Sequence, residues 1–166
     1  MTISSDYRKQ RKRTGNFKPK GRIADNIAID DIKALLPKNL QRDMLIEYLH
    51  LIQDKYSFLS SDHLAALAFI MKLSLSEVWE VASFYDHFIL VKETQTPPPS
   101  RTIRVCTSLT CALFNSEKML DVASQNDTAA IRYISAPCLG ACNQAPVAAD
   151  GHFLIPKINQ EALQEL

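Results

Sequence analysis

An α+β protein is predicted from this sequence, with a small helical bundle first and a small α/β domain after it. Two observations carry that prediction. From Ile32 to Phe88 apolar residues recur at the spacing of helices buried along one side, whereas beyond Pro97, Pro98 and Pro99 the apolar residues fall in short strand-like runs. The 166 residues, 46% of them hydrophobic, suffice for one ordinary core or two small ones.

The elements follow in chain order. Residues 1–22 read as a basic extended tail. They hold eight of the 19 Lys and Arg and a single acid, Asp6, a balance of +7, while the other 11 bases and 17 acids leave −6 for the rest. Charge concentrated in Arg8, Lys9, Arg11, Lys12 and Arg13 suits a solvated tail or a strap ordered against an acidic partner subunit. A nucleic-acid arm is the weaker reading because the body carries no basic groove to continue it. The bundle spans 23–93. Asp30 and Asp31 stand where a helix start favours carboxylates, and Ile32, Leu35 and Leu36 follow before Pro37 ends the run. Asn39 is a cap candidate for a second helix through Leu40, Met44, Leu45, Leu49 and Ile52 to Tyr56. Ser60 or Ser61 opens a third, striped by Leu64, Leu67, Ala68 and Met71, and Ser74 or Ser76 a fourth, reaching Phe88 through Val78, Trp79, Ala82 and Phe84.

Residues 94–100 contain the three prolines, whose fixed φ and missing N–H groups make a semi-rigid linker. The second domain, 101–166, opens with a strand over Thr102–Val105, a helix over Ser116–Gln125 and a second strand over Ile131–Ser135. The helical crossover requires these strands to be parallel. Asp150-Gly151 is a tight-turn dipeptide between two further short strands, and a short helix from Asn159 closes the chain. That order, βαβ then ββα, is the order of a thioredoxin-like fold.

The four cysteines form two close pairs, Cys106-x4-Cys111 and Cys138-x3-Cys142, within the last 61 positions. This is not the spread of a disulfide framework, and it points to metal ligation in a reducing compartment. If each pair follows a parallel strand, the two loops meet at the carboxyl edge of the sheet, where ligand sites of open α/β structures form. Four thiolates there can hold a binuclear iron–sulfur cluster, two to each iron. Pair spacings of this size also suit a structural zinc ion. A thiol–disulfide redox centre would carry Cys-x2-Cys, and four buried inert thiols would not cluster in two loops. Gly140 permits backbone amides to turn toward sulfur, Pro137 and Pro146 stiffen the loop, and Thr107, Ser108 and Thr110 offer small donors. The helix from about Ser116 could add its N-terminal dipole.

His50, His63, His87 and His152 lie outside both cysteine loops, so they are not needed as ligands, and His50 and His63 read as helix-surface residues. Trp79 and Phe84 read as core, with Tyr85 and Phe88 open between core and partner contact. Glu77, Glu80 and Asp86 form no acid–base constellation, and no Gly-x-Gly-x-x-Gly or P-loop is present, so no catalytic site and no nucleotide site are expected on this chain. No apolar run approaches the roughly 18 residues of a membrane span and no secretory stretch opens the sequence, which predicts a soluble, cytoplasmic chain.

Cys106-x4-Cys111, Cys138-Leu139-Gly140-Ala141-Cys142-x3-Pro146 and the preceding Val81-Ala82-Ser83-Phe84-Tyr85-x2-Phe88 resemble the thioredoxin-like [2Fe-2S] ferredoxin family, which supplies an electron-transfer subunit to respiratory complex I and to its soluble relatives. Those relatives are NAD-linked hydrogenases and NAD-dependent formate dehydrogenases. The resemblance covers about residues 30–166, and Glu47–Asp54 with Val81–Tyr85 is most similar to the formate dehydrogenase members. Many relatives set the first pair in a Gly-Thr-x-Cys context, whereas Leu109-Thr110 precedes Cys111 here. The resemblance implies one [2Fe-2S] cluster on Cys106, Cys111, Cys138 and Cys142, in a hetero-oligomer with a flavin- and NAD-binding subunit and a larger iron–sulfur catalytic subunit. FMN and NAD would then belong to the partner, and a cluster potential around −400 mV would suit exchange with its flavin.

Overall fold

Capping chemistry places two helices of the first half. In the computed structural model, which describes residues 21–166, α3 (Ser61–Met71) and α4 (Leu75–Phe84) each begin with a capping box. Ser60 Oγ accepts from the His63 amide at 3.0 Å while the Ser60 amide donates to His63 Nδ1 at 3.4 Å. Ser74 Oγ accepts from the Glu77 amide at 3.2 Å and Glu77 Oε2 accepts from the Ser74 amide at 2.9 Å. Both boxes satisfy amides that an unpartnered helix start leaves to solvent.

The two earlier helices start elsewhere than the sequence suggests. α1 spans Asn26–Leu35, so Asp30 and Asp31 fall in its middle and not at its N-terminus. Its first turn holds no acid, and its buried face is Ala28, Ile29 and Ile32. α2 spans Leu45–Tyr56 after a 3₁₀ turn at Arg42–Met44. Asn39 does not cap it: Met44 holds the N-cap position with no side-chain bond, and the Gln41 amide donates to Tyr48 Oη at 3.0 Å. Ile32, Leu49, Ile52, Leu64, Leu67 and Val78 are fully buried in one core.

α4 ends at Phe84, four residues short of the expected limit, and Tyr85 turns extended. Phe84 is consequently 80% exposed, contrary to its expected core place, while Phe88 is buried and Trp79 is partly buried against the core. A short parallel pairing joins β1 (Leu59–Ser60) to β2 (Leu90–Val91). Buried Gln53 supports it, donating to the His87 carbonyl at 2.9 Å and accepting from the Ile89 amide at 2.6 Å.

Beyond the prolines, a four-stranded sheet has the order β4-β3-β5-β6. Strands β3 (Arg101–Cys106) and β4 (Ile131–Ala136) are parallel as expected, while β5 (Ala148–Asp150) runs antiparallel to β3 and forms a hairpin with β6 (Phe153–Ile155). Gly151, at φ +56, takes the first hairpin position without a Cβ penalty. Three helices accompany the sheet: α5 (Leu109–Leu113), α6 (Ser116–Ser124) and α7 (Gln160–Gln164). Ile103, Val105, Tyr133, Ala148, Ile158 and Leu163 form its core, and the Tyr133 hydroxyl donates to the Leu163 carbonyl at 2.7 Å.

Alternation along β3 sends Ile103 and Val105 into that core and leaves Arg104 for the other side, where its guanidinium donates to the His87 carbonyl at 2.6 Å. A second contact between the two halves joins His152 Nε2 to Asp54 Oδ1 at 2.9 Å. Of the basic tail, residues 1–20 lie outside the described residues. Arg22, its last cation, pairs with Asp62 at 2.8 Å and with Glu93.

Candidate functional site

Register brings the cysteine pairs together. β3 and β4 are in register from Arg101 opposite Ile131 to Cys106 opposite Ala136, so both chains leave the sheet at the same edge. Cys106 is the last residue of β3, and Cys138 follows β4 after Pro137. The loops expected to carry the pairs are partly ordered. Cys106 is still in the strand, Cys111 lies in α5, and Cys142 opens a 3₁₀ turn over Cys142–Gln144.

All four are free thiols, but their surroundings differ. Cys106 and Cys111 are each 1% exposed and pack with Val147, Ala141, Leu139 and Ala145, whereas Cys138 and Cys142 face solvent with their sulfurs 3.4 Å apart. The site thus has a dry wall and an open side.

Backbone amides are aimed at the sulfurs. Gly140, at φ +79, turns its amide to Cys138 Sγ at 3.4 Å. Burial resists ionisation of Cys106, but hydrogen bonds from the Ser108 amide, the Cys111 thiol, the Leu139 amide and the Ser108 side chain together lower its pKa. Cys111 is pushed up by burial first and by the neighbouring Cys106 and Cys142, with the Val147 amide opposing. Cys142 is pushed up by its hydrogen bond to Cys138 and by that neighbour's charge, while Thr110 pulls the other way.

These contacts cross between the loops. Leu139 of the second serves Cys106 of the first, and Thr110 of the first serves Cys142 of the second. Four sulfurs crowded in this way repel one another once ionised, and a cationic iron–sulfur core removes that repulsion while keeping the amide donors in use. The donor set therefore fits a thiolate-held binuclear centre.

Of the expected small donors, Ser108 and Thr110 reach sulfur. Thr107 does not, because its hydroxyl is 2.8 Å from Ser135 Oγ on the adjacent strand. The sulfur-directed amides come from Ser108, Leu139, Gly140 and Val147, with the short α5 standing between β3 and α6. Leu139 and Val147 escape a reading of side-chain chemistry because what they contribute is an amide and an apolar wall.

Comparison with known proteins agrees with this geometry. The family model described as thioredoxin-like [2Fe-2S] ferredoxin matches residues 29–166. A subunit of the NADH-quinone oxidoreductase of Aquifex aeolicus is 29% identical over 116 residues, covering 64% of this chain and 69% of that protein. The corresponding subunit of Buchnera aphidicola is 29% identical over 114 residues, covering 63% of this chain and 64% of that protein. Among solved structures, an NAD+-reducing [NiFe]-hydrogenase in the air-oxidized state shares the fold with a TM-score of 0.57 at 23% identity. The match covers 74% of this chain and 22% of the hydrogenase chain, so this protein spans about a fifth of that chain's length. Joined to the four-cysteine edge, the match over residues 29–166 leads to one conclusion: the chain belongs to the thioredoxin-like [2Fe-2S] ferredoxin family, whose cofactor is a [2Fe-2S] cluster.

Proposed function

We propose that this chain is an electron-transfer subunit of a multi-subunit NAD-dependent oxidoreductase, holding its [2Fe-2S] cluster through Cys106, Cys111, Cys138 and Cys142. The observation that carries the reading is the in-register parallel pair β3–β4, which delivers both cysteine pairs to one sheet edge. When bound, the cluster supplies one-electron oxidation and reduction. Buried Cys106 and Cys111 would hold it against a dry wall, and exposed Cys138 and Cys142 would face a redox partner. The amides of Ser108, Leu139, Gly140 and Val147, directed at the cysteine sulfurs, would stabilise added negative charge there.

The partner is a flavin subunit carrying FMN and NAD, in a hetero-oligomer that also contains a larger iron–sulfur catalytic subunit. Leu109 and Leu113 on α5 are 79% and 75% exposed beside the cysteines and supply an apolar rim for docking. A second apolar surface opens on the bundle, a groove of about 500 Å³ whose lining includes Arg42, Ile46, Val81, Phe84 and Tyr85. The working units are the tail 1–22, the bundle 23–93, the linker 94–100 and the cluster domain 101–166. Among the described residues no helix is long and apolar enough to cross a membrane.

Formate dehydrogenase is the parent enzyme we favour, on the likeness of Glu47–Asp54 and Val81–Tyr85 to its members. Complex I and NAD-linked hydrogenase are the other parents, and the Aquifex and Buchnera relatives favour the first of these. Anaerobic purification followed by iron and sulfide counting and EPR tests the redox reading. About two irons and two sulfides, with no signal when oxidised and one spin after dithionite, support it. A colourless protein with stoichiometric zinc would replace it with a structural interaction module. Co-purification of the native complex and assay of formate-dependent NAD reduction decide the parent enzyme.

A further inference from the structure

Three histidines distant in sequence meet where the two halves of the chain touch. His50 comes from α2, His87 from the turn after α4 and His152 from the β5–β6 hairpin. One ring nitrogen of each lies within 4.8 Å of those of the other two, and the His87 and His152 rings stack with centroids 5.3 Å apart. The cysteine chemistry uses none of them.

We propose that His50, His87 and His152 form a binding site for a divalent transition-metal ion of the zinc class, joining the helical half to the sheet half. Imidazole is a preferred ligand for such ions, and three protein nitrogens with one open position make a complete zinc environment. His50 Nδ1 is buried and has no hydrogen-bond partner among the described residues, an uncompensated lone pair or N–H that coordination of the ring puts to use. Asp54 Oδ1, 2.9 Å from His152 Nε2, supplies the carboxylate that orients metal-binding histidines. Tetrahedral coordination at 2.0–2.1 Å puts nitrogens about 3.4 Å apart, so nitrogens at most 4.8 Å apart have about 1.4 Å or less to close.

Electrostatics favours the neutral, coordinating form of His87 and His50. Burial first, then the Arg104 guanidinium and the two other histidines, lowers the His87 pKa to about 4, while burial and His152 lower that of His50. Arg104 is also the charge that opposes a cation here, while Asp54 pulls the other way on His87 and, with Glu47, on His50. His152 is exposed and its hairpin gives an ion access from solvent.

The test uses the full chain with its iron–sulfur cluster intact, titrated anaerobically with zinc alone by calorimetry, then examined at the zinc K-edge. The expected result is one zinc per chain with only nitrogen or oxygen neighbours and imidazole scattering, while the visible spectrum of the cluster stays unchanged. His152→Gln and His87→Gln remove the stoichiometric step, and Asp54→Asn weakens it by about 10- to 100-fold. His152→Gln alters an exposed hairpin position, so an unchanged far-UV spectrum separates loss of a ligand from loss of the fold. No zinc uptake by the unaltered chain, equal uptake by the variants, or sulfur neighbours near 2.3 Å would overturn the proposal.

Discussion

Gly140 combines a left-handed backbone with a function, since at φ +79 its amide reaches Cys138 Sγ at 3.4 Å. A Cβ at this position would meet nothing within 4 Å, so the cost of Gly140→Ala is conformational and not steric. The variant is expected to lose about 1 kcal/mol or more of stability, read by thermal unfolding. Where the loop relaxes to relieve the strain, the N–H···S bond is lost and the reduction potential moves to a more negative value in redox titration. Cysteine replacement has a larger effect. Cys111→Ser and Cys142→Ser are each expected to lose or destabilise the cluster, with falling iron and sulfide counts and a retained helical far-UV signal. Unchanged cluster content in both would remove them from the ligand set.

Helix caps decide stability at the next scale. Loss of the Ser74 side chain opens the α4 box, so Ser74→Ala is expected to cost about 1 kcal/mol in denaturant unfolding. The α3 box is unusual in using an imidazole where Glu or Gln is common, with His63 Nδ1 accepting from the Ser60 amide. Burial lowers the His63 pKa from 6.5 against the opposing pull of Asp62 and Asp31. The unfolded chain then binds this proton more readily than the folded chain. The cap's contribution is fully present above pH 6.5 and declines as pH falls from there toward the lower folded value. In His63→Gln, which keeps an acceptor that does not titrate, stability measured across that interval is expected to vary less with pH.

At the scale of the molecule, the two halves meet through Arg104 on the His87 carbonyl, through His152 on Asp54 and through the histidine trio. Each contact ends on α2 or on the turn after α4, so the sheet half is held by the same part of the helical half whose buried Gln53 bonds the His87 carbonyl and the Ile89 amide. The tail belongs to this scale as well. Removing residues 1–22 is expected to spare the cluster and weaken assembly with the proposed flavin subunit, since it takes away a +7 segment together with the Arg22 pairs to Asp62 and Glu93. Size-exclusion chromatography of the co-expressed complex measures it, and undiminished assembly would leave the tail no strap role.

The α+β class, the parallel β3–β4 pair and the pairing of the four cysteines in two close sets were legible in the sequence because each rests on short-range information. Hydrophobic period, a crossover helix between two strands and cysteine spacing are all properties of neighbouring residues. The five residues of α5 are too few to display a helical period, and Phe84 carries the same apolar signal whether it faces a core or a partner. Tertiary structure decided what depends on residues far apart in the chain. It placed the Leu139 amide on Cys106 and the Thr110 hydroxyl on Cys142, and it gathered His50, His87 and His152 from three separate elements. Local sequence encodes which groups are available, and only packing brings distant groups within the few ångströms over which hydrogen bonds and coordination act.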